Sequence, residues 1–308
     1  MSDMTNKIVK WKTVLVVSLF LLVLTGSRIL WITIFQSTEQ PYAKDGLLDL
    51  RNWNAAEGQT IELDGQWEFY PHVWLIDPES SQTTEKSSPQ LIQVPGDWNS
   101  LMQPGEDTPY GYGSYRLRIL VDPKQDLTYS IRIPSVRSSS ALYVNGRLLA
   151  KAGEPGVNKK EYKVGNVPYT SSFAANGSSE IEVVIQAANY DDPGKSGIVR
   201  SIKFGTEEAI ARQTQLSMTM QLLVAIVSLL HAVYALILYL LGKRDRRLLF
   251  FSLLLASATF MYLLATDEKL IPYWFPIDYE TGIKLVSYAI IALSCSLLLC
   301  VKQQWPAF

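Results

Sequence analysis

The chain is predicted to fold as an all-β antiparallel sandwich followed by α-helices that cross a membrane, and three observations predict it. Leu216 to Leu241 is an apolar run in which Gln221 and His231 are the only strongly polar side chains. As a helix it reaches about 39 Å, enough to cross a hydrocarbon core of roughly 30 Å. Leu248 to Ala265 and Leu285 to Val301 are apolar again, which makes three successive crossings. From Leu47 to Gly205 the hydrophobic period is two instead, the mark of strands with one buried face.

Composition narrows the function classes. The 308 residues carry 28 Lys and Arg against 29 Asp and Glu. These charges interleave rather than cluster on one face, so there is no nucleic-acid footprint. The two cysteines, Cys295 and Cys300, lie in the last apolar run. Five positions apart on a helix, they point to different faces and are poorly placed to bridge. The β portion therefore relies on its hydrophobic core, which its size permits.

At the N-terminus, Lys7, Lys10 and Lys12 precede the apolar run Val14 to Leu24, the layout of an export signal. No small-x-small cleavage site follows, so an uncleaved anchor over 1–35 is preferred to a cleaved leader. Arg28 would snorkel to the headgroups. The positive-inside rule places the first lysines in the cytoplasm, the β portion outside, and Lys243, Arg244, Arg246 and Arg247 back inside. In the loop Thr266 to Lys284, four acids outnumber two lysines, and Tyr273, Trp274 and Phe275 sit where an interfacial aromatic belt would.

Within the β portion, Ile61, Leu63, Trp67 and Phe69 alternate with polar residues, as do Tyr115, Leu117 and Ile119, then Tyr129, Ile131 and Ile133, then Ile181, Val183 and Ile185. Asn145-Gly146 between two apolar stretches is a strong hairpin signal, because both residues tolerate the positive φ of a type I′ turn. Asp77 to Gln90 is polar and aperiodic, and reads as an excursion from the sandwich surface. Thr206 can cap a helix whose first turn holds Glu207 and Glu208. No breaker follows before Gly242, so that helix would couple the sandwich to the membrane as one rod. The expected organisation is an anchor at 1–35, an extracytoplasmic sandwich at 36–205, a connecting helix at 206–215, and membrane helices within 216–308 at about 216–241, 248–265 and 285–301.

The words Gly65-Gln66-Trp67-Glu68-Phe69-Tyr70, Val94-Pro95-Gly96-Asp97-Trp98, Tyr110-Gly111-Tyr112-Gly113-Ser114-Tyr115-Arg116, Leu142-Tyr143-Val144-Asn145-Gly146 and Ser196-Gly197-Ile198 occur in order. Together they resemble the galactose-binding-like jelly roll, the sugar-binding domain of family 2 glycosidases, over about residues 45–205. With the apolar segments that follow, the chain resembles the bacterial seven-transmembrane receptors with diverse intracellular signalling modules. The resemblance implies an all-β jelly-roll sandwich ectodomain and α-helical transmembrane segments. In such receptors a histidine kinase, diguanylate cyclase or phosphatase follows seven helices. Three helices follow the sandwich here, so the chain is expected to be the N-terminal part of a receptor.

Catalysis is not expected. Glycoside hydrolysis needs two carboxylates flanking a sugar in a cleft, and the sugar-binding domain of those enzymes is not their catalytic domain. Asp191 and Asp192 lie in Asn189-Tyr190-Asp191-Asp192-Pro193-Gly194, which reads as a turn before it reads as a calcium or catalytic site. For ligand binding, Trp98, Tyr110, Tyr112 and Tyr190 supply aromatic faces, and Arg137 and Asn189 supply hydrogen bonds suited to a saccharide. The competing reading is that Trp98 and Tyr112 close the core. His231 and Gln221 read as hydrogen-bonding glue between membrane helices rather than as a proton relay. His72 and His231, the two histidines, are far apart in sequence, and no metal ligand set or cofactor is expected.

These readings converge on the sensory and membrane part of a bacterial receptor, with a parent histidine kinase as the first choice of output. Its expected partners are the lipid bilayer, an extracellular saccharide, other small molecule or partner protein, and a second copy through the parent's output module. The rival is a cell-surface carbohydrate-binding membrane protein without output. A transporter ranks third, because the crossings lack Gly/Pro-interrupted pairs and charged pathway residues.

Overall fold

A computed structural model describes residues 2–34, 40–55, 58–76, 88–103, 105–123, 127–194, 196–242, 244–266, 268–275 and 277–304. The chain divides into two compact units, Met1–Gln40 and Pro41–Phe308. The first is helix α1 (Ser2–Ile34). Ser18–Leu30 is its described apolar stretch. Most of the polar excursion expected at 77–90 lies outside the described residues, as does Lys243.

The second unit opens with strands β1 (Leu47–Asp49), β2 (Ile61–Glu62), β3 (Gly65–Pro71) and β4 (Gln90–Val94), then the single turn α2 (Asn99–Met102). Strands β5 (Gly111–Leu120), β6 (Thr128–Ile133), β7 (Ser139–Val144), β8 (Arg147–Ala152), β9 (Tyr169–Ala174), β10 (Glu180–Asn189) and β11 (Lys203–Thr206) follow. They make two sheets, β4-β3-β5-β10-β7-β8 with β1 added beside β5, and β2-β11-β6-β9. Pairing is antiparallel throughout except for β1 on β5.

The alternation sets the sandwich core. Trp67, Phe69, Tyr115, Leu117 and Ile119 from the larger sheet meet Tyr129, Ile131, Ile133 and Phe204 from the smaller. Asn145 and Gly146 turn between β7 and β8 with φ of 48° and 77°, as the hairpin requires. Gly65 is needed for a different reason: φ is +133° and a Cβ there would lie 2.3 Å from the Ala43 carbonyl oxygen. The outer face of the larger sheet is not simply solvated. Leu75 and Ile76 pack over Tyr70, Tyr143 and Val184 as a second small core. Arg116, outward by alternation, is held by Glu68 at 2.6 Å and lies over the Tyr70 ring.

Strand β11 passes without a break into helix α3 (Glu207–Leu241), and Thr206 caps it by accepting from the Ala209 amide at 3.3 Å. At 35 residues this helix is about 52 Å long. The connector at 206–215 and the crossing at about 216–241 are parts of this one helix. Helix α4 (Arg246–Ala265) returns, the short α5 (Leu270–Trp274) follows, and α6 (Tyr279–Gln304) runs out again. Among the described residues α3, α4 and α6 are long and apolar enough to cross a membrane. Leu223, Leu230, Ile291 and Leu298 face outward, as lipid contact requires. Ala225, Ala232, Ser252 and Thr259 are buried, and the Ser252 hydroxyl donates to the Ala232 carbonyl across α3 and α4 at 2.8 Å.

Candidate functional site

Strands β5 and β10 are paired so that Asn189 lies opposite Gly111 and Ala188 opposite Tyr112. The residues just before β5 and just after β10 therefore meet at one end of the sandwich. Tyr110 is 44 % exposed there. Tyr112 is half-buried, packed against the rings of Trp74 and His72. Tyr190 stands edge-on to Tyr162 at 5.4 Å, and its hydroxyl donates to the Val157 carbonyl at 2.6 Å. Burial, then the neighbouring Tyr112 and Glu161, push the Tyr190 phenol up to about 12, so it stays a neutral donor. Arg137 lies 3.8 Å from Asp192, and Lys159 pairs with Asp191 at 2.7 Å. Aromatic faces beside fixed charged groups suit a polyhydroxylated ligand.

Two of the expected ligand contacts are corrected by the geometry. Trp98 is fully buried, stacked on Tyr115 and packed on Phe69, and its indole N–H donates to the Pro109 carbonyl at 3.1 Å. It closes the core. Asn189 is also fully buried. Its amide donates to Pro109 O, Asp192 O and Ser196 Oγ at 3.0, 2.7 and 2.6 Å, and its carbonyl accepts from Ser138 Oγ at 2.7 Å and Asp192 N at 2.9 Å. With these partners it pins three loops together and offers a ligand nothing. The loop is shaped further by Gly197, at φ +95°, where a Cβ would strike the Tyr115 hydroxyl at 2.2 Å.

The same loop reaches the membrane helices. Asp192 accepts from the Tyr279 hydroxyl at 3.0 Å, so one carboxylate touches both Arg137 and the start of α6. Beside it the α4–α5 connection docks on the sandwich. Glu268 forms a buried ion pair with Arg132 of β6, which also donates to Thr170 of β9. Lys269 donates to the backbone and side-chain oxygens of Asn166, the latter at 3.0 Å, and Leu270 is buried. Burial, then the charges of Arg200 and Arg137, hold the Lys269 amine down at about 8. On the other flank Thr60 donates to Gln213 of α3 at 2.8 Å. Sequence reasoning missed Arg132, Asp192, Glu268, Lys269 and Tyr279. The available signal was the pair Glu268-Lys269 placed immediately after an apolar span.

Within the helices, Gln221 is buried and its amide donates to the Tyr262 carbonyl of α4 at 3.1 Å. His231 does not act as expected glue: it is exposed on the bundle surface, and its Nδ1 donates to Val227 of its own helix at 2.7 Å. Because Gln221 meets Tyr262 while Ala232, further along α3, meets Ser252, earlier on α4, the two helices are antiparallel. Arg244, Arg246 and Arg247 are exposed at the end of the bundle away from the sandwich.

No family model matches the chain, and no curated protein does. Solved structures similar to it include a GH2 β-galacturonidase from Eisenbergiella tayi bound to galacturonate, at 15% identity over 48% of this chain and 24% of that one, TM-score 0.33. A β-glucuronidase from Ruminococcus gnavus in complex with D-glucaro-d-lactam shares 17% identity over 48% of this chain and 29% of that one, TM-score 0.35. An uncultured Clostridium sp. β-glucuronidase shares 16% over 48% and 29%, TM-score 0.36. The chain spans 24–29% of the length of these enzymes. At such TM-scores nothing about ligand or activity follows for this chain.

Proposed function

We propose that this chain is the sensory and membrane part of a bacterial signal-transducing receptor. The sandwich, a galactose-binding-like jelly roll, lies outside the cell and binds a saccharide at the end bearing Tyr110, Tyr112, Tyr190 and Arg137. Arg244, Arg246 and Arg247, with Lys243, face the cytoplasm, and the parent's output is a sensor histidine kinase. The observation that carries this reading is the position of Asp192. It is in reach of Arg137 on the binding rim and accepts a hydrogen bond from Tyr279 at the start of α6. A ligand that recruits Arg137 changes what Asp192 offers Tyr279, and the helices respond only to the extent that the ligand prefers one arrangement.

The test is thermal unfolding of the full chain in detergent across a panel of neutral and acidic saccharides. A binder raises the midpoint for the wild type and for Tyr279→Phe, and does not for Tyr190→Ala or Arg137→Gln. If no saccharide shifts the midpoint, or if the shift survives Tyr190→Ala, the saccharide reading is wrong.

A further inference from the structure

The rim that bears Tyr110, Tyr112 and Tyr190 extends across a third strand. In the larger sheet β5 lies between β3 and β10. The end of β3, the start of β5 and the end of β10 coincide, with Pro71 opposite Gly113 and Asn189 opposite Gly111. Tyr190 just past β10, Tyr112 on β5 and Trp74 just past β3 therefore come from three neighbouring strands. At about 4.8 Å per strand the row is roughly 10 Å long.

Trp74 is fixed in that row. The Ser114 hydroxyl of β5 donates to the Val73 carbonyl at 2.7 Å and accepts from the Leu75 amide at 3.0 Å, so both neighbours of Trp74 are tied to the sheet. Leu75 is fully buried beside it. The Trp74 ring packs on Tyr112 with centroids 4.7 Å apart, and the exposed His72 flanks Tyr112 at 5.5 Å. Among the described residues, neither hydrophobic core takes in Trp74, Tyr112 or Tyr110. Trp74 stays half-buried where Trp67 and Trp98 are sealed. Core packing therefore does not account for an indole at this position.

We propose that the ligand of this rim is an oligosaccharide of at least two sugar units, one against Tyr190 and Tyr112 and the next against Trp74. The proposal rests on the saccharide reading of the rim. Aromatic rings offer broad apolar faces to the C–H faces of sugar rings, and this row is longer than one pyranose. A platform held on both sides by Ser114 loses little freedom on binding, so the second unit adds affinity at small entropic cost.

The experiment uses the full chain in a detergent without a sugar headgroup, titrated calorimetrically with matched series. These are glucose, cellobiose and cellotriose; N-acetylglucosamine with its chitin dimer and trimer; and galacturonate with its dimer and trimer. In a series that binds, the disaccharide binds about tenfold tighter than the monosaccharide. Trp74→Ala removes that gain and leaves the monosaccharide affinity unchanged. Trp74→Leu, which keeps apolar volume but no aromatic face, does the same and serves if the alanine variant does not fold. Equal affinity for monosaccharide and disaccharide in the wild type, or a gain that survives both substitutions, overturns the proposal and leaves the saccharide reading standing. If no sugar of any series binds, that reading fails and the two-unit site with it.

Discussion

Arg132 of β6 and Glu268 of the α4–α5 connection form an ion pair across 136 positions of sequence, with side chains only 9% and 4% exposed. Desolvating two charges is repaid only while both are present. Arg132→Met or Glu268→Met alone is expected to destabilise the unit by about 3–5 kcal/mol, whereas the double replacement by Met costs much less. Unfolding of the three variants in detergent checks this. Additive losses would mean that the pair is not what docks the loop.

From the sequence, Trp98 and Tyr110 both read as aromatic ligand contacts, with closing the core as the rival reading for Trp98. The structure separates them, one sealed in the core and one 44 % exposed. Trp98→Ala should cost roughly 3–5 kcal/mol of stability, and Tyr110→Ala about 0.5 kcal/mol or less. Denaturant unfolding of both variants measures the difference, and equal losses would contradict the burial.

That contrast shows what a sequence can carry. Alternation along β3, β5, β6 and β10 specifies which side chains enter the core, because the side-chain period in a strand is two. The Asn145-Gly146 turn and the Thr206 cap follow from local chemistry in the same way. A loop has no period, so nothing local tells that Asn189 spends its hydrogen bonds holding Pro109, Ser138, Asp192 and Ser196. The junction is less visible still, since Arg132 finds Glu268 and Asp192 finds Tyr279 only after the helices have folded back on the sandwich. The cover of Leu75 and Ile76 over the larger sheet was hidden for the same reason.

Lys269 gives the fold a particular pH response. Its ordinary value is 10.5 and its folded value about 8. Between the two, the unfolded chain keeps a proton that the folded chain has released, so stability rises with pH through that window. Below about 8 both forms are charged and the effect vanishes. Unfolding midpoints at pH 7, 8, 9 and 10 for the wild type and Lys269→Gln should therefore diverge upward from about pH 8 in favour of the wild type. Parallel curves would show that Lys269 is not perturbed.

Helix α3 is continuous from Thr206 to Gly242, and Gln213 in its second turn accepts from Thr60 of the sandwich. Gln213→Pro removes a backbone donor inside the helix and bends it, at a cost of about 3 kcal/mol. Saccharide affinity at the rim should be unchanged, because none of the rim residues lies on α3. A ligand-dependent change in reactivity of a cysteine placed at Arg246 should disappear. If the change persists, the rod does not carry the signal.

The opposed positions of the sandwich and of Arg246, on either side of three apolar helices, are tested most directly by labelling intact cells. The chain is prepared with Cys295→Ser and Cys300→Ser, and a single cysteine is placed at Lys159 or at Arg246. A membrane-impermeant maleimide should label Lys159→Cys in intact cells and Arg246→Cys only after permeabilisation. Labelling of Arg246→Cys with Lys159→Cys protected would invert the orientation and remove the basis for an extracellular sensor.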